Sequence, residues 1–348
     1  MVDQPDSPNT SDGTPEGVAV REVTYTSSDG LALFARDYGD RLSPWLPVVC
    51  LAGLSRSSRD FDALARHLAS HRHRPRRVVC FDYRGRGLSQ WAKTADSYSP
   101  VVEMNDIFDG MAALGIARAI VVGTSRGGII GMLMGVVRPA TLAGLVLNDV
   151  GPVLEVTGLA RIKTYVGRTP APTDWADAAR ILRHLHGARF TGWSDADWDA
   201  YARQTFRETE DGPAGDYDPK LGETLDGIEL DQPAPTLWNE FRALKAVPIM
   251  VIRGENSDLL SAGTVAAMSE AHPGLEALTV PGEGHAPVLR GALLEHISAF
   301  ISAGEGSAPP AETIAPRPEA QFNLDDAPEE MQDATPVDTQ GAEPGDST

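Results

Sequence analysis

The chain has 348 residues, 49 acidic against 30 basic, for a formal net charge of −19, and 42% of it is hydrophobic. That apolar share supports a core of domain size, while an acidic balance with scattered basic residues speaks against nucleic acid as a partner. No apolar run reaches the ~18 residues of a membrane span, no basic-then-apolar leader opens the chain, and Cys50 and Cys80 are the only cysteines, so a cytoplasmic protein is the expectation.

Composition sets the two ends apart. Residues 303–348 hold eleven acidic residues, one arginine and seven prolines. Segments 1–17 and 302–348 are expected to be disordered, the second as a solubilising appendage, because neither buries enough apolar surface to offset its ordering entropy. Between them, 18–28 and 31–39 read as strands joined at Asp29-Gly30, a strong hairpin pair. A short apolar strand over 45–53 follows, then a helix over 58–71 with Ser57 or Ser58 as cap, then a strand and loop over 76–87. Pro100 stands at the start of a helix over 101–115. Strand 118–123, helix 126–138 and strand 142–149 continue the rhythm, which returns as strand 247–255, helix 263–273, strand 275–282 and helix 287–301. Apolar runs without alternation, separated by helices, predict an α/β fold: an eight-stranded, mostly parallel sheet with helices on both faces. Cys50 and Cys80 fall in such buried runs and are expected to pack there. The core is assigned to 18–151 and 241–301.

Residues 152–240 break the pattern. They hold predicted helices near 155–166, 173–187, 194–210 and 235–244, with a Pro/Gly-rich connector at 211–220. An insertion of that length exceeds an ordinary loop, and it reads as a helical lid over the carboxyl edge of the sheet.

The polar candidates all follow strands, where open α/β sheets bind ligands. Ser125, in VVGTSRGG (121–128), sits between a strand and a helix, the context a G-x-S-x-G turn requires. A serine hydroxyl needs a base, and His285, in PGEGHAP (281–287), is the histidine in a glycine-rich loop after a strand. A carboxylate must orient that imidazole; Asp258, in GENSD (254–258), follows the preceding sheet strand. The order Ser125, Asp258, His285 completes a nucleophile, acid and base. The other histidines, His186 among them, read as ordinary helical or surface residues. Developing negative charge needs donors, and position suggests the backbone N–H groups of Arg126 and of Leu54, in the loop LAGLSRSS (51–58).

Together LAGLSRSSRDF (51–61), FDYRGRGLS (81–89), VVGTSRGG, LVLNDVGP (145–152), VIRGENSD (251–258) and GEGHAP (282–287) resemble the α/β-hydrolase superfamily. The branch is the lidded serine hydrolases, which includes enol-lactonases, carboxylesterases, proline iminopeptidases and meta-cleavage-product hydrolases. The resemblance covers 18–301 and implies cleavage of an ester or lactone of a small organic substrate through an acyl-enzyme on Ser125, with no cofactor and no metal. Relatives that attack with aspartate, the dehalogenating and epoxide-opening ones, are disfavoured by the serine. Two departures stand out. Many relatives carry His-Gly where this chain has Ala52-Gly53, and Arg126 is bulky for the residue after the nucleophile. Arg126 and Arg56 are candidates for contact with a polar substrate group, and together with Arg59 they keep C–C hydrolysis of a diketone as an alternative. A catalytically inactive binding protein is the remaining one. Asp149, after strand 142–149, is the alternative acid. The sequence leaves the oligomeric state open.

Overall fold

The computed structural model describes residues 17–304, apart from 228, 230 and 232–234; segment 1–16 and the acidic tail from 305 onward lie outside the described residues. The chain opens with a hairpin, β1 (Val20–Thr26) and β2 (Ala32–Tyr38), paired antiparallel across Asp29-Gly30. Then come β3 (Val48–Leu51), a 3₁₀ turn Ser58–Phe61 leading into α1 (Asp62–Ala69), β4 (Val78–Asp82) and α2 (Pro100–Ala113). Pro100 occupies the first turn of α2, and the Ser99 hydroxyl accepts from the Val102 N–H at 3.3 Å. Neither Ser57 nor Ser58 caps the 58–71 segment through its side chain; instead the Ser58 N–H donates to Asp82 Oδ1 at 2.6 Å.

The chain continues through β5 (Ala119–Thr124), α3 (Arg126–Val137) and β6 (Leu142–Asn148), and closes through β9 (Ile249–Gly254), α8 (Ala262–Ala271), β10 (Glu276–Val280) and α9 (Ala292–Ala303). Eight strands form one sheet in the order β1-β2-β4-β3-β5-β6-β9-β10, antiparallel at the leading hairpin and at β2–β4, parallel elsewhere, with helices on both faces. Every residue of β3 and β4 is buried, as uninterrupted apolar runs covered on both sides require. Cys50 and Cys80 are register partners on these strands, both buried and both free. From β3 the chain crosses to β4 on one side and then to β5 on the other. The loops leaving β3 and β5 therefore diverge at a topological switch point, where such sheets open a crevice.

The insertion begins as expected with α4 (Val156–Tyr165), α5 (Trp175–His186) and α6 (Asp195–Thr205). The predicted helix 194–210 stops at Thr205, however, and gives way to a small hairpin, β7 (Phe206–Thr209) and β8 (Gly212–Gly215). Its two-residue turn is Glu210-Asp211, and Gly212, with φ 111°, opens β8. A 3₁₀ segment Pro219–Leu225 follows. The lid has its own apolar cluster, in which Ala178 and Leu182 of α5 meet Phe190, Trp198 and Ala202. The last helix, α7 (Trp238–Ala243), belongs elsewhere: Phe241 and the following Leu244 join the main core against α3.

Candidate active site

Glycines shape the turn around Ser125. A Cβ at Gly123 would stand 2.5 Å from the Gly127 carbonyl oxygen, one at Gly127 would stand 2.0 Å from the Leu51 carbonyl oxygen, and one at Gly128 would stand 2.4 Å from Val150 Cγ1. Side chains there would push α3 off β3 and β5. With them absent, the chain reverses within one residue, and Ser125 takes φ 51° and ψ −112°, a region rarely held by a residue with a side chain. Its N–H donates to the Asn148 carbonyl at 3.0 Å, and its own carbonyl accepts from Gly128 at 2.9 Å. Ser125 is thus held at the N-terminal, electropositive end of α3.

The Ser125 hydroxyl lies 3.0 Å from His285 Nε2. On the other side of the ring, His285 Nδ1 lies 2.8 Å from Asp149 Oδ2. Here the sequence reading is corrected: the carboxylate beside His285 is Asp149, the alternative acid, and not Asp258. Asp149 leaves the end of β6 with φ 55° and is fully buried. Its Oδ1 accepts from the Gly254 N–H at 2.8 Å, and its Oδ2 also accepts from the Ser257 hydroxyl at 2.6 Å. The Ser257 N–H donates to the Gly254 carbonyl at 3.0 Å. That turn aims residue 257 at Asp149 and carries its neighbour, Asp258, the other way.

Asp258 meets the lid. Arg161 of α4 grips it with two bonds, Nε at 2.6 Å and Nη2 at 2.8 Å, and Arg189 Nε adds a third contact at 2.8 Å. Burial by itself would favour the neutral acid, but the paired guanidinium groups outweigh it and hold the Asp258 carboxyl below the usual carboxylate range. The signal available in the sequence was weak, because both aspartates follow sheet strands and the choice rests on the direction of a single turn.

Arg126 does not face the substrate space. Its Nε donates to Glu103 Oε2 at 2.8 Å and its Nη2 to the Tyr98 carbonyl at 2.7 Å. Glu103 is fully buried and pairs also with Arg86 at 2.7 Å. Burial opposes its ionisation, yet the two guanidinium groups hold its carboxyl below the usual range. Arg86 extends this network to the loop after β3, donating from Nε to the Leu54 carbonyl at 2.8 Å. The Tyr83 hydroxyl adds a bond to the Ala52 carbonyl at 3.2 Å. These two bonds order a loop that lacks the His-Gly pair of many relatives. Gly53 brings the loop against Ser125, since a Cβ there would lie 4.0 Å from Ser125 Cβ. Arg56 borders the cavity, but Asp60 holds it at 2.8 and 2.6 Å, and its Nη1 donates to Thr205.

Ser125, His285 and the Gly53–Leu54 loop open onto a cavity of about 330 Å³ beneath the lid. Its walls are largely apolar and aromatic, with Tyr165, Leu182 and Phe206 from the lid, and a few polar groups. That is the make-up of a small-molecule site. Among the described residues, no cluster of three His, Cys, Asp or Glu side chains is arranged to hold a metal ion, and no helix is long and apolar enough to cross a membrane.

An open, mostly parallel sheet with a serine on a strained strand-to-helix turn, hydrogen-bonded to a histidine under a helical lid, defines the α/β-hydrolase class. The chain belongs to the alpha/beta hydrolase family, whose sequence profile matches residues 48–296, and it is a hydrolytic enzyme. It is 33% identical over 275 residues to the 3-hydroxybutyrate-oligomer hydrolase of Cupriavidus necator, a match covering 76% of this chain and 91% of that protein. The crystal structure of an α/β hydrolase from Novosphingobium aromaticivorans superimposes with a TM-score of 0.74 at 38% identity, covering 81% of this chain and 98% of that one. E-2-(acetamidomethylene)succinate hydrolase shares the fold at 22% identity, with a TM-score of 0.67 over 82% of this chain and 100% of that one.

Proposed function

We propose that the protein is a serine hydrolase that cleaves carboxylic esters of short hydroxy acids through an acyl-enzyme on Ser125. The observation that carries this is the hydrogen-bonded chain from Ser125 Oγ through His285 to the buried Asp149, opening onto an enclosed cavity. Ser125 Oγ attacks the ester carbonyl carbon while His285 Nε2 takes its proton. Asp149 accepts from Nδ1–H, which sets the tautomer and stabilises the imidazolium. The N–H of Arg126, first in α3 and so without an intrahelical acceptor, and the N–H of Leu54 receive the negative charge that develops on the carbonyl oxygen. His285 returns the proton to the leaving alkoxide, which departs as the alcohol. A water, deprotonated by His285, then attacks the acyl-enzyme, releasing the acid and restoring Ser125.

The choice of hydroxy-acid esters is supported by the Cupriavidus necator relative, which acts on oligomers of 3-hydroxybutyrate and matches over nearly its whole length. C–C hydrolysis loses its support because Arg126, Arg56 and Arg59, the cations that would receive a diketone acid, are taken by Glu103, Asp60 and Asp216. The test is fluorophosphonate labelling with mapping of the modified residue, alongside hydrolysis of the 3-hydroxybutyrate dimer. Ser125 is expected to be the sole labelled residue, and Ser125→Ala to abolish labelling and dimer cleavage with an unchanged far-UV spectrum. Labelling that survives in the folded variant overturns the assignment.

A further inference from the structure

One titratable group on the cavity wall has no part in the reaction above. His186 ends α5, is 7% exposed, and borders the same cavity as Ser125. Its ring lies edge-on to Tyr165, Tyr201 and Phe190, with centroids 5.4, 6.3 and 6.5 Å away. No atom among the described residues hydrogen-bonds to either ring nitrogen. Neither nitrogen is sealed inside the protein; the ring lines the cavity, where a ligand can reach it.

Burial, reinforced by the positive charges of Arg161 and Arg56, then by His285 and Arg189, pushes the imidazole down to about 3. It is neutral wherever the enzyme would work. A neutral imidazole presents one N–H donor and one lone pair. That pair complements a hydroxyl or a carbonyl oxygen and gains nothing from an alkyl chain.

We infer that His186 is a specificity-determining residue that hydrogen-bonds a substrate oxygen remote from the scissile carbonyl, so that oxygen-bearing esters are selected over plain alkanoates. This rests on the ester reading above and names the residue that would discriminate within it.

The experiment uses the full chain and two substrates: the 3-hydroxybutyrate dimer, and ethyl butanoate, which keeps the acyl skeleton without the distal oxygens. His186→Phe retains the aromatic packing and removes both nitrogens. It is expected to lower kcat/KM on the dimer about tenfold or more, mainly through KM, while ethyl butanoate stays within about threefold. His186→Gln, which restores a donor and an acceptor, is expected to recover part of the loss on the dimer. Equal losses on both substrates, or no loss on either, overturn the proposal. In the unmutated chain, saturation with 3-hydroxybutyrate is expected to move the His186 ring ¹⁵N signals, and signals that stay fixed overturn it without any variant having to fold. Wild-type cleavage of ethyl butanoate but not of the dimer overturns this inference and the choice of hydroxy-acid esters, and leaves ester hydrolysis through Ser125 standing. Cleavage of neither overturns the ester reading and this inference with it.

Discussion

Two non-glycine residues among those described hold a positive φ, Ser125 and Asp149, and both hydrogen-bond His285. Unfavourable backbone persists where surrounding structure over-determines it. At Ser125 the determinant is the packing of Gly123, Gly127 and Gly128; at Asp149 it is the three bonds its carboxylate accepts. Asp149→Asn keeps the shape but presents the wrong partner to Nδ1, and a comparable change in a serine protease costs about 10⁴ in kcat. A loss of at least ~10² is expected here, against less than about tenfold for Asp258→Asn, both measured on one unactivated ester. The reverse order, with both variants folded, returns the acid role to Asp258. Gly127→Ala places a methyl against the Leu51 carbonyl oxygen, an immovable backbone atom. Overpacking of this kind costs about 1–3 kcal/mol or more, to be read as a lowered urea midpoint at constant slope. Glu103→Gln strips the charge from a carboxylate that two buried guanidinium groups share. Breaking such a cluster costs about 3–5 kcal/mol, and the same denaturation curve reports it.

At the scale of elements, the lid is tied to the core by charge and by backbone. Asp258 joins α4 and the α5–α6 connection to the loop after β9 through Arg161 and Arg189. Arg59 reaches Asp216 at 2.8 Å beyond β8. The Thr191 N–H donates to the Gly282 carbonyl at 2.9 Å, just ahead of His285, and a Cβ at Gly284 would strike Arg189 Cβ at 2.5 Å. The lid therefore grips the loop that carries the histidine. The Asp258 anchor has a definite pH dependence. Its folded-state carboxyl is depressed, so the stabilisation is fully present above the ordinary carboxylate range and is lost as pH falls through the lower, folded value. Below about pH 4 the lid is expected to loosen, seen as a change in the fluorescence of Trp175, Trp193 and Trp198 before the sheet unfolds. Asp258→Asn is expected to show that altered fluorescence already at neutral pH, and to lose the acid-dependent step. A variant with wild-type fluorescence and an unchanged acid transition counts against the anchor.

For the molecule as a whole, every side chain and backbone group assigned to the reaction and to its substrate lies between Gly53 and Leu289. A chain ending at residue 304 is accordingly expected to keep kcat/KM within about threefold on a small ester; a loss of tenfold or more would give the acidic tail a part in the site. What the sequence by itself determined is what depends on short stretches of chain. The Asp29-Gly30 hairpin, the buried strands, the Ser125 turn and the glycine-rich loop of His285 are each encoded within a few residues. The hairpin at 206–215 was equally local, yet a helix was expected to run into it, because the polar helix ahead of it has no contrasting periodicity to mark its end. Only the tertiary structure decided between Asp149 and Asp258. Both carboxylates follow strands, and which one meets His285 depends on the three-dimensional direction of the Gly254–Ser257 turn and on Arg161 and Arg189, distant in sequence, that draw Asp258 off. The same holds for His186. On a helix it is one polar residue among many, and it comes to line the cavity that Ser125 opens onto only when the lid folds over the sheet.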